Sequence, residues 1–318
     1  MNTGNQMKTD KYIVGIGAAN MDVAGRSRAP INLRDSNPGR MHTSVGGVTR
    51  NILENYVRLG GRAVLLSVVG DDIFGQKILL ESGEAGIDVS HVRIVKDHGS
   101  STYMSVLDSD GEMSVALSDM RIMENLSVDY LRDNDRIIRG ARLIVTDPSI
   151  PEAVMDHLLD HYGRDIPVFV DPVSVAYADC IKEKQGRFYR IKPNELECEL
   201  LSGRKIETEE DLWEAVKAIV STGVKEVYVS RGKKGCLYYD SHGTWLTACL
   251  RPLEEAVNVT GAGDAFMAML IYGHVYGMEK QDILNHACRA GLAAIMSADT
   301  INKEINIELL NKILEERL

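Results

Sequence analysis

The sequence Asn258-Val-Thr-Gly-Ala-Gly-Asp264 places two glycines, a small residue between them and one carboxylate at the predicted start of a helix. Gly261 and Gly263 let the backbone turn tightly, so that successive N–H groups can face an anion, and Thr260 is a candidate helix cap. From 265 to about 276, apolar residues recur at helical spacing, which directs the positive N-terminal end of the helix at the same place. The stretch therefore predicts a phosphate cradle at a helix start, with Asp264 beside it.

Asp264 has two interpretations. Beside a transferring phosphoryl group it is a candidate general base, which would accept the proton of the attacking hydroxyl group. Alternatively, the Gly-Ala-Gly sequence is only the beginning of a helix, and Asp264 is a favourable charge in its first turn. Short glycine motifs recur by chance, so the choice depends on the rest of the chain.

Length and composition narrow the class of protein. The 318 residues, 44% of them hydrophobic, suffice for a substantial core, either in one large α/β unit with an insertion or in two domains. The 36 basic and 46 acidic residues give a net charge of −10, which argues against binding to nucleic acids or to anionic membranes. Any nucleotide is therefore expected to be held by local groups.

The cysteines and the N-terminus favour a cytosolic protein. The cysteines are odd in number and lack a Cys-x-x-Cys pair, so we expect no disulfide framework and no zinc site, but buried thiols in a reducing compartment, at Cys180, Cys198, Cys236, Cys249 and Cys288. The first ten residues are polar and are expected to form a short frayed tail. The apolar runs are too short to span a bilayer.

Short β-branched runs alternate with helical patterns, which predicts a mostly parallel sheet covered on both faces. Strands are predicted at 12–16, 64–69, 143–146, 168–170, 188–191 and 226–230. Helices are predicted at 48–59, 208–220, 265–276, 281–297 and 307–318. The first of them ends at a Gly-Gly pair, and the second begins with a variant of the capping box.

Two segments interrupt this alternation and are predicted to form a small β-insertion that acts as a lid. Residues 24–44 are rich in Arg, Pro, Asn and Ser. Residues 98–118 contain an alternating strand at 103–107, a turn at 108–111 and a second strand at 112–117. Because no repeat, low-complexity tract or Pro/Gly linker divides the chain, residues 10–318 are expected to form a single domain.

Polar residues at predicted strand ends are candidate ligand groups, because open α/β sheets bind their ligands there. Asn20 and Asp22 follow the first strand and offer donors and acceptors to vicinal hydroxyl groups, although they are also common turn formers. Asn20 stands where a dinucleotide fingerprint would have its third glycine, which argues against NAD. Gly46-Gly47 followed by Asn51 brings backbone close to a ligand or simply begins a helix. Asp171 either ends a strand or faces the ligand.

Two further motifs suit a nucleotide. In Lys192-Pro-Asn-Glu-Leu-Glu197, Asn194 and Glu197 share one helix face and can hold water around Mg²⁺ beside phosphate oxygens, or they form an N-cap with its N3 partner. Ser230-Arg-Gly-Lys-Lys-Gly235 follows a strand and can pass over phosphates, or it is a glycine-rich turn. The sequence contains neither a Walker-type P-loop nor a protein-kinase catalytic loop, so phosphoryl transfer here would belong to another lineage.

Together these motifs resemble those of the PfkB, or ribokinase-like, carbohydrate kinase family over essentially the whole chain. The motifs occur in the family's order at 46–51, 67–75, 192–197 and 259–264. The resemblance implies a ribokinase-like three-layer α/β/α fold with a mostly parallel central sheet and a small β-lid insertion. It also implies ATP and Mg²⁺ as cofactors and a homodimer formed through the lid.

The resemblance assigns roles to individual residues. Asp264 would be the base, and the backbone of Gly261, Ala262 and Gly263 the anion hole. The substrate would be held by Asn20, Asp22, Gly46, Gly47, Asn51 and Asp171. The nucleotide would be held by Lys192, Asn194, Ser230, Gly232, Gly235, Thr260 and Asn302, and the metal by Asn194 and Glu197. Asn258 stands where the family commonly has an acid that helps to bind a monovalent cation, which leaves dependence on K⁺ open.

Within the family, the similarity is strongest to members that phosphorylate the 5′-hydroxyl of a C-nucleoside, pseudouridine. It is carried by 46–55, 101–113, 118–120, 169–174 and 258–264. Thr102 and Asp119 are then expected to pair with the base. A kinase of other sugars or nucleosides is the alternative. A metabolite sensor without catalysis is a third hypothesis, against which the complete glycine cradle and Asp264 argue.

Overall fold

The computed structural model describes residues 12–250 and 260–317. The strands in this part are β1 (Ile13–Ile16), β2 (Asn20–Ser27), β3 (Gly39–Gly46), β4 (Ala63–Leu66), β5 (Val68–Gly70), β6 (Arg93–Val95), β7 (Thr102–Leu107), β8 (Met113–Asp119), β9 (Ile144–Thr146), β10 (Val168–Val170), β11 (Arg190–Ile191), β12 (Glu226–Ser230), β13 (Cys236–Asp240) and β14 (Trp245–Ala248). The α-helices are α1 (Val48–Arg58), α2 (Ile73–Glu84), α3 (Val128–Asp133), α4 (Asp135–Arg139), α5 (Glu152–His161), α6 (Val175–Ala178), α7 (Glu195–Ser202), α8 (Glu209–Ser221), α9 (Ala262–Tyr276), α10 (Lys280–Ile295) and α11 (Ile307–Arg317).

Within the described residues, eight strands form the central sheet in the order β14-β13-β12-β11-β10-β9-β1-β4. All neighbours from β4 to β12 are parallel, and β13 and β14 continue the sheet antiparallel. One apolar core joins the sheet to α1, α9 and α10, and a second joins it to α3, α5, α7 and α8. The three-layer α/β/α architecture with a mostly parallel sheet, which the resemblance implies, is therefore confirmed.

The strands β1, β9 and β10 are buried along their whole length, as is typical of parallel strands covered on both faces. The strand predicted at 64–69 is in fact two strands, β4 and β5. Ser67 lies between them, and its hydroxyl group donates to the Gly17 carbonyl oxygen at 2.7 Å. After this turn β5 leaves the central sheet and pairs with β6.

A second sheet stands apart from the central one and, among the described residues, contains four strands in the order β3-β2-β7-β8. Its strands extend beyond the predicted lid segments, since β2 begins at Asn20 and β3 ends at Gly46. Residues 20–46 lack apolar alternation because most of the hairpin is exposed on both sides, so only its backbone pairing defines it. Asn20, Asp22 and Gly46 thus lie in paired strands rather than in turns.

The expectation of uniformly buried thiols is wrong at two positions. Cys198 and Cys236 are buried, but Cys180 and Cys249 are exposed. Cys180 lies in a 3₁₀ helix, Asp179–Arg187, and Cys249 follows β14 at the edge of the central sheet, and among the described residues both side chains face solvent. The predicted N-terminal tail and Asn258 lie outside the described residues. None of the described helices has the combination of length and apolar composition needed to cross a bilayer.

Candidate active site

Asp264 lies in the first turn of α9 and faces Asn51 of α1. The Asn51 side-chain Nδ2 donates to Asp264 Oδ2 at 3.0 Å, and both side chains are buried. Gly47 immediately precedes α1 with φ 101°, and a Cβ there would collide with the Ala18 carbonyl oxygen. The glycine therefore allows α1 to begin close against the turn after β1, which brings Asn51 to the start of α9.

The surroundings of Asp264 raise the pKa of its carboxyl group to about 7. Burial is the largest cause, and the nearby carboxylates of Asp171 and Asp147 raise the pKa further. The hydrogen bond from Asn51 and the positive charge of Lys192 act in the opposite direction. A carboxyl group with a pKa near neutrality is suited to accepting a proton at physiological pH.

Lys192 supplies the positive charge of the site. It follows β11, and its Nζ lies 3.0 Å from Oδ2 of Asp171, which follows β10. Burial alone would lower the pKa of Lys192, but the carboxylates of Asp171, Glu197 and Asp264 outweigh burial and raise it. Nζ also lies 3.0 Å from the point that a Cβ on Gly263 would occupy. A glycine at 263 thus leaves room for the ammonium group beside the turn at the start of α9.

The predicted anion cradle forms this turn. Gly261 is the N-cap of α9 with φ 82°, a conformation that favours glycine, and a Cβ there would collide with the Thr300 carbonyl oxygen. Ala262 and Gly263 begin α9, and Thr260 precedes it. Asn302 shapes the loop that carries Thr300, because its Nδ2 donates to the Ala293 carbonyl oxygen at 2.7 Å and its Oδ1 accepts from the Glu304 N–H at 3.0 Å.

Asn194 and Glu197 form a complete capping box at the start of α7. Asn194 Oδ1 accepts from the Glu197 N–H at 2.9 Å, and the Asn194 N–H donates to Glu197 Oε2 at 2.8 Å. Burial raises the pKa of Glu197, Lys192 lowers it, and Asp171 raises it further. Among the described residues, no group of three or more His, Cys, Asp and Glu side chains could hold a metal ion. The contacts thus show the N-cap interpretation of the pair, and its role beside Mg²⁺ stays a prediction.

Asn20, Asp22 and Gly46, three of the residues expected to bind the substrate, come together at the end of the small sheet that leads into α1. Asn20 Nδ2 donates to Asp22 Oδ1 at 2.5 Å, and a Cβ on Gly46 would collide with the Asp22 carboxylate. Burial raises the pKa of Asp22 to about 6, against the hydrogen bond from Asn20 and the charge of Arg50. Asn51 follows one turn into α1, where its N–H donates to the Gly47 carbonyl oxygen at 2.8 Å.

Thr102 and Asp119 lie on the other face of the small sheet. Paired residues of a sheet share a face, and Thr102 pairs with Met21 and with Asp119, whereas Asp22 pairs with Tyr103. The Thr102 hydroxyl group donates to the Ser100 carbonyl oxygen at 3.1 Å. Asp119 is exposed and ion-paired with Arg121 at 2.6 Å, which lowers the pKa of Asp119 to about 2. The structure does not bring these two residues to Asn20 and Asp22.

The loop 230–235 runs from β12 into β13 beside the start of α7. The Ser230 N–H donates to the Pro193 carbonyl oxygen at 3.0 Å. Gly232 begins a short 3₁₀ turn, and Gly235, with φ 85°, packs against the backbone of Ala248. The loop is thus a glycine-rich turn, and its hydrogen bond to Pro193 places it next to the Asn194 motif.

Asp147 is a buried residue of this region that sequence reasoning missed. Its Oδ2 accepts from the Thr49 hydroxyl group at 2.5 Å and from the N–H groups of Ala18 and Thr49 at 3.1 and 3.2 Å, and its Oδ1 accepts from Ser149. It therefore joins the turn after β1 to the start of α1. Its position directly after the predicted strand 143–146 was a detectable signal, the same that identified Asp171.

A small cleft opens between the turn after β1, the end of β8 and the loops after β9 and β10. It is lined by Ala18, Asn20, Val48, Met120, Asp147, Ser149, Val173 and Tyr177. Val173 has φ 69°, which is strained for a β-branched residue. Its N–H donates to Asp171 Oδ1 at 2.9 Å, so the residue that holds Lys192 also holds this loop.

Comparison with known proteins shows the family and the fold of the chain. A profile described as pfkB family carbohydrate kinase matches residues 10–306. The chain is 36% identical over 310 residues to the pseudouridine kinase of Escherichia coli strain K12, covering 97% of this chain and 98% of that protein. It is 30% identical over 307 residues to an uncharacterised sugar kinase of the same strain, covering 96% and 84%. The structure of Arabidopsis thaliana ribokinase complexed with ribose and ATP has a TM-score of 0.85 at 24% identity, covering 96% of this chain and 99% of that chain.

Proposed function

Because the chain belongs to the pfkB family of carbohydrate kinases, we propose that it transfers the γ-phosphoryl group of ATP to the 5′-hydroxyl group of pseudouridine. The observation that carries the proposal is the placement of Asp264, a buried carboxylate held by Asn51 at the N-terminus of α9. The similarity to a pseudouridine kinase over nearly the whole chain supports the choice of substrate.

In this reaction the 5′-hydroxyl group loses its proton to Asp264 as its oxygen attacks the γ-phosphorus, the bond from the γ-phosphorus to the β,γ-bridging oxygen breaks, and ADP leaves. The backbone N–H groups of the turn at Gly261–Gly263 and the positive end of α9 face the phosphoryl oxygens. The Lys192 ammonium group, adjacent to Gly263, balances negative charge at the same point. Catalysis then consists of positioning and charge stabilisation by groups that are already in place.

Mg²⁺ bound with ATP would neutralise charge on the phosphate oxygens. Glu197 and Asn194 are the residues expected to orient its water ligands. Their mutual hydrogen bonds hold both side chains rigid at the start of α7. Ser230, Gly232 and Gly235 are expected to pass beside the phosphates, and Thr260 and Asn302 to support the cradle.

The ribose would lie against Asn20, Asp22, Gly46, Gly47 and Asn51, with the base in the adjoining cleft. Val48, Met120, Val173 and Tyr177 give that cleft apolar and aromatic walls, and Ser149 and Asp147 give it a polar edge. These residues replace Thr102 and Asp119 as the candidates for contact with the base, since those two face the other side of the small sheet. Asp171 acts through Lys192 and the Val173 loop.

A kinase of another sugar or nucleoside is the second candidate. The similarity to an uncharacterised sugar kinase favours it, because the hydroxyl-pairing residues alone suffice for a sugar. Turnover of ATP with pseudouridine, uridine, ribose, fructose 6-phosphate and adenosine tests both candidates. We expect pseudouridine to have the highest kcat/KM. If ribose is turned over equally well or better, the second candidate replaces the first.

The small sheet is proposed to act as a lid and as the surface of a homodimer. The exposed residues Met41, Met104, Val115 and Leu117 lie on the face opposite to Asn20 and Asp22, and Met21 and Val45 continue that face into the core. A second copy that covers the exposed part would remove apolar surface from water while the other face remains free for the substrate.

A further inference from the structure

Three charged residues form a ladder along one face of α1. Glu54 forms an ion pair with Arg50 on one side and with Arg58 on the other. Arg50 Nη2 lies 2.5 Å from Glu54 Oε2, and Arg58 Nη2 lies 2.6 Å from Glu54 Oε1. The exposed fraction of both Arg50 and Glu54 is 3%. Burial lowers the pKa of Arg50, and the charge of Glu54 opposes this effect. Because an apolar pair would fill the same space without desolvating charges, packing alone does not account for the ladder.

Arg50 also contacts the candidate active site. Its Nε donates to the Ser82 hydroxyl group at 3.1 Å, and its Nη1 donates to the Val45 carbonyl oxygen at 3.4 Å and to Asn51 Oδ1 at 3.3 Å. The guanidinium group is planar and its donors have fixed directions, so the contacts with Glu54 and Ser82 determine where Nη1 points. That direction is toward the oxygen end of the Asn51 carboxamide.

The two ends of a carboxamide are chemically opposite. With Oδ1 occupied by Arg50, Asn51 presents Nδ2 to Asp264 and donates at 3.0 Å. The flipped amide would place its oxygen against a carboxylate and its NH₂ group against a cation, and both contacts are repulsive. Asn55 does not compete for this side chain, because its Nδ2 donates to the backbone oxygen of Asn51 at 2.9 Å.

We propose that Arg50 is a positioning residue for phosphoryl transfer, which holds the Asn51 carboxamide in the orientation that donates to Asp264 and thereby aims the base at the substrate hydroxyl group. The inference rests on the proposed role of Asp264. It adds a residue that does not touch the substrate and that acts through Asn51.

The test is a double-mutant cycle on kcat, measured with saturating ATP and pseudouridine for the wild type, Arg50→Lys, Asn51→Ala and the double variant. Lysine keeps a positive charge facing Glu54, but its single ammonium group lacks the planar fork that reaches Asn51 at the same time. We expect Arg50→Lys to lower kcat roughly tenfold, about the effect of one lost hydrogen bond. Once residue 51 is alanine, the same substitution should have no further effect on kcat.

Arg58→Lys is the matched control, because it makes the same change at the other partner of Glu54. Among the described contacts of Arg58, the hydrogen bond outside the ladder goes to the Lys303 carbonyl oxygen and not to Asn51. Arg58→Lys should therefore lower kcat less than Arg50→Lys does, and its effect on kcat should add to that of Asn51→Ala. Equal losses for the two Arg→Lys variants, or an additive cycle for Arg50, would mean that Arg50 only stabilises α1, and the inference would be wrong.

The pH dependence of kcat gives a second test. If Arg50 only stabilised α1, the substitution Arg50→Lys would not shift this pH dependence. The hydrogen bond from Asn51 lowers the pKa of Asp264, while Asp171, Asp147 and Lys192, the charged groups that face it from the other elements, stay unaltered in the variants. Arg50→Lys should therefore move the acid limb to higher pH, and Arg58→Lys should leave it in place. An unmoved limb in Arg50→Lys contradicts the inference.

Folding of each variant is checked by thermal unfolding. If Arg50→Lys does not fold, Arg50→Gln, which offers a neutral amide donor, replaces it in the same cycle. Asp264→Asn separates this inference from the proposed function. If that variant keeps normal turnover, the role of Asp264 fails, whereas loss of turnover in Asp264→Asn with an additive Arg50 cycle refutes only the positioning role.

Discussion

Asp264 is the residue on which turnover should depend most directly. We expect Asp264→Asn to lower kcat by about 10²–10⁴-fold, because the hydroxyl proton then has no acceptor. Asparagine has nearly the same shape, so the start of α9 and the thermal unfolding temperature should change little. Single-turnover and steady-state rates of the purified variant check the expectation, and a near-normal kcat in a folded variant would contradict it.

The elevated pKa of Asp264 sets the pH dependence. A general base works in its deprotonated form, and the pKa of this carboxyl group is raised to about 7 by burial and by Asp171. In the free enzyme, kcat/KM should therefore fall about tenfold per pH unit below pH 7 and level off above it. A pH profile measured with pseudouridine checks this. A rate that stays constant down to pH 5 would show that Asp264 does not act as the base.

Local sequence predicted the residues of the cradle but not their partners. Gly261, Gly263 and Asp264 follow from one short motif, because backbone freedom and a first-turn charge are local properties. The contact between Asn51 and Asp264 joins residues 213 positions apart and exists only after α1 packs on α9. Asp147 was missed although its position after a predicted strand is the signal that identified Asp171, because its partners Ala18 and Thr49 are distant in the sequence and meet it only in the fold.

At the scale of elements, burial decided which strands could be recognised. The inner strands β9, β10 and β12 appear as short runs rich in β-branched and aromatic residues because helices cover both of their faces. The hairpin β2–β3 has no such signal, since most of it is exposed and its register is set by pairing with β7 and by the turn. Sequence periodicity therefore predicted the parallel strands of the central sheet but not its antiparallel strands β13 and β14, and it predicted the small sheet incompletely.

The small sheet should become more ordered when substrate binds. Most of residues 24–44 and 98–118 is exposed or half-buried, so these segments are expected to exchange amide hydrogens readily in the free protein. With pseudouridine and a non-hydrolysable ATP analogue, protection in both segments should rise as the lid closes over the site. The buried strands β9 and β10 serve as the internal control. Unchanged protection in both segments at saturating ligand would argue against a lid.

At the scale of the whole molecule, the exposed apolar face of the small sheet should determine the oligomeric state. On this face Leu117 is 62% exposed and Met104 is 37% exposed. Exposing these apolar side chains to water is unfavourable in free energy, and a second copy that covers them would remove this penalty. We expect light scattering to give twice the mass of the chain, and Leu117→Glu to shift the protein toward the monomer. Leu196, 63% exposed on α7, provides the control substitution Leu196→Glu. A monomeric wild-type protein would contradict the proposed dimer.

Under the proposed function, selection of a nucleoside over a sugar would involve the lid, the body and the loop after β10 together. The hydroxyl groups of the sugar would need only Asn20, Asp22 and Asn51, whereas the base would fill the cleft lined by Val173 and Tyr177. Pseudouridine exposes one more N–H group than uridine, and a site that pairs this donor leaves an acceptor unsatisfied with uridine. The loss of about 1–3 kcal/mol corresponds to one to two orders of magnitude in kcat/KM.

We therefore expect kcat/KM for pseudouridine to exceed kcat/KM for uridine by at least about tenfold. Free ribose should also have a lower kcat/KM than pseudouridine.

Tyr177→Ala should lower kcat/KM for pseudouridine while leaving the low value for ribose unchanged, because only the nucleoside reaches that wall of the cleft. Tyr276→Ala, at an exposed tyrosine near the C-terminal end of α9, is the matched control. If Tyr177→Ala affects pseudouridine and ribose equally, the cleft does not bind the base. If ribose is the better substrate of the wild type, the acceptor is a free sugar and not a nucleoside, while the role of Asp264 as the base would still hold.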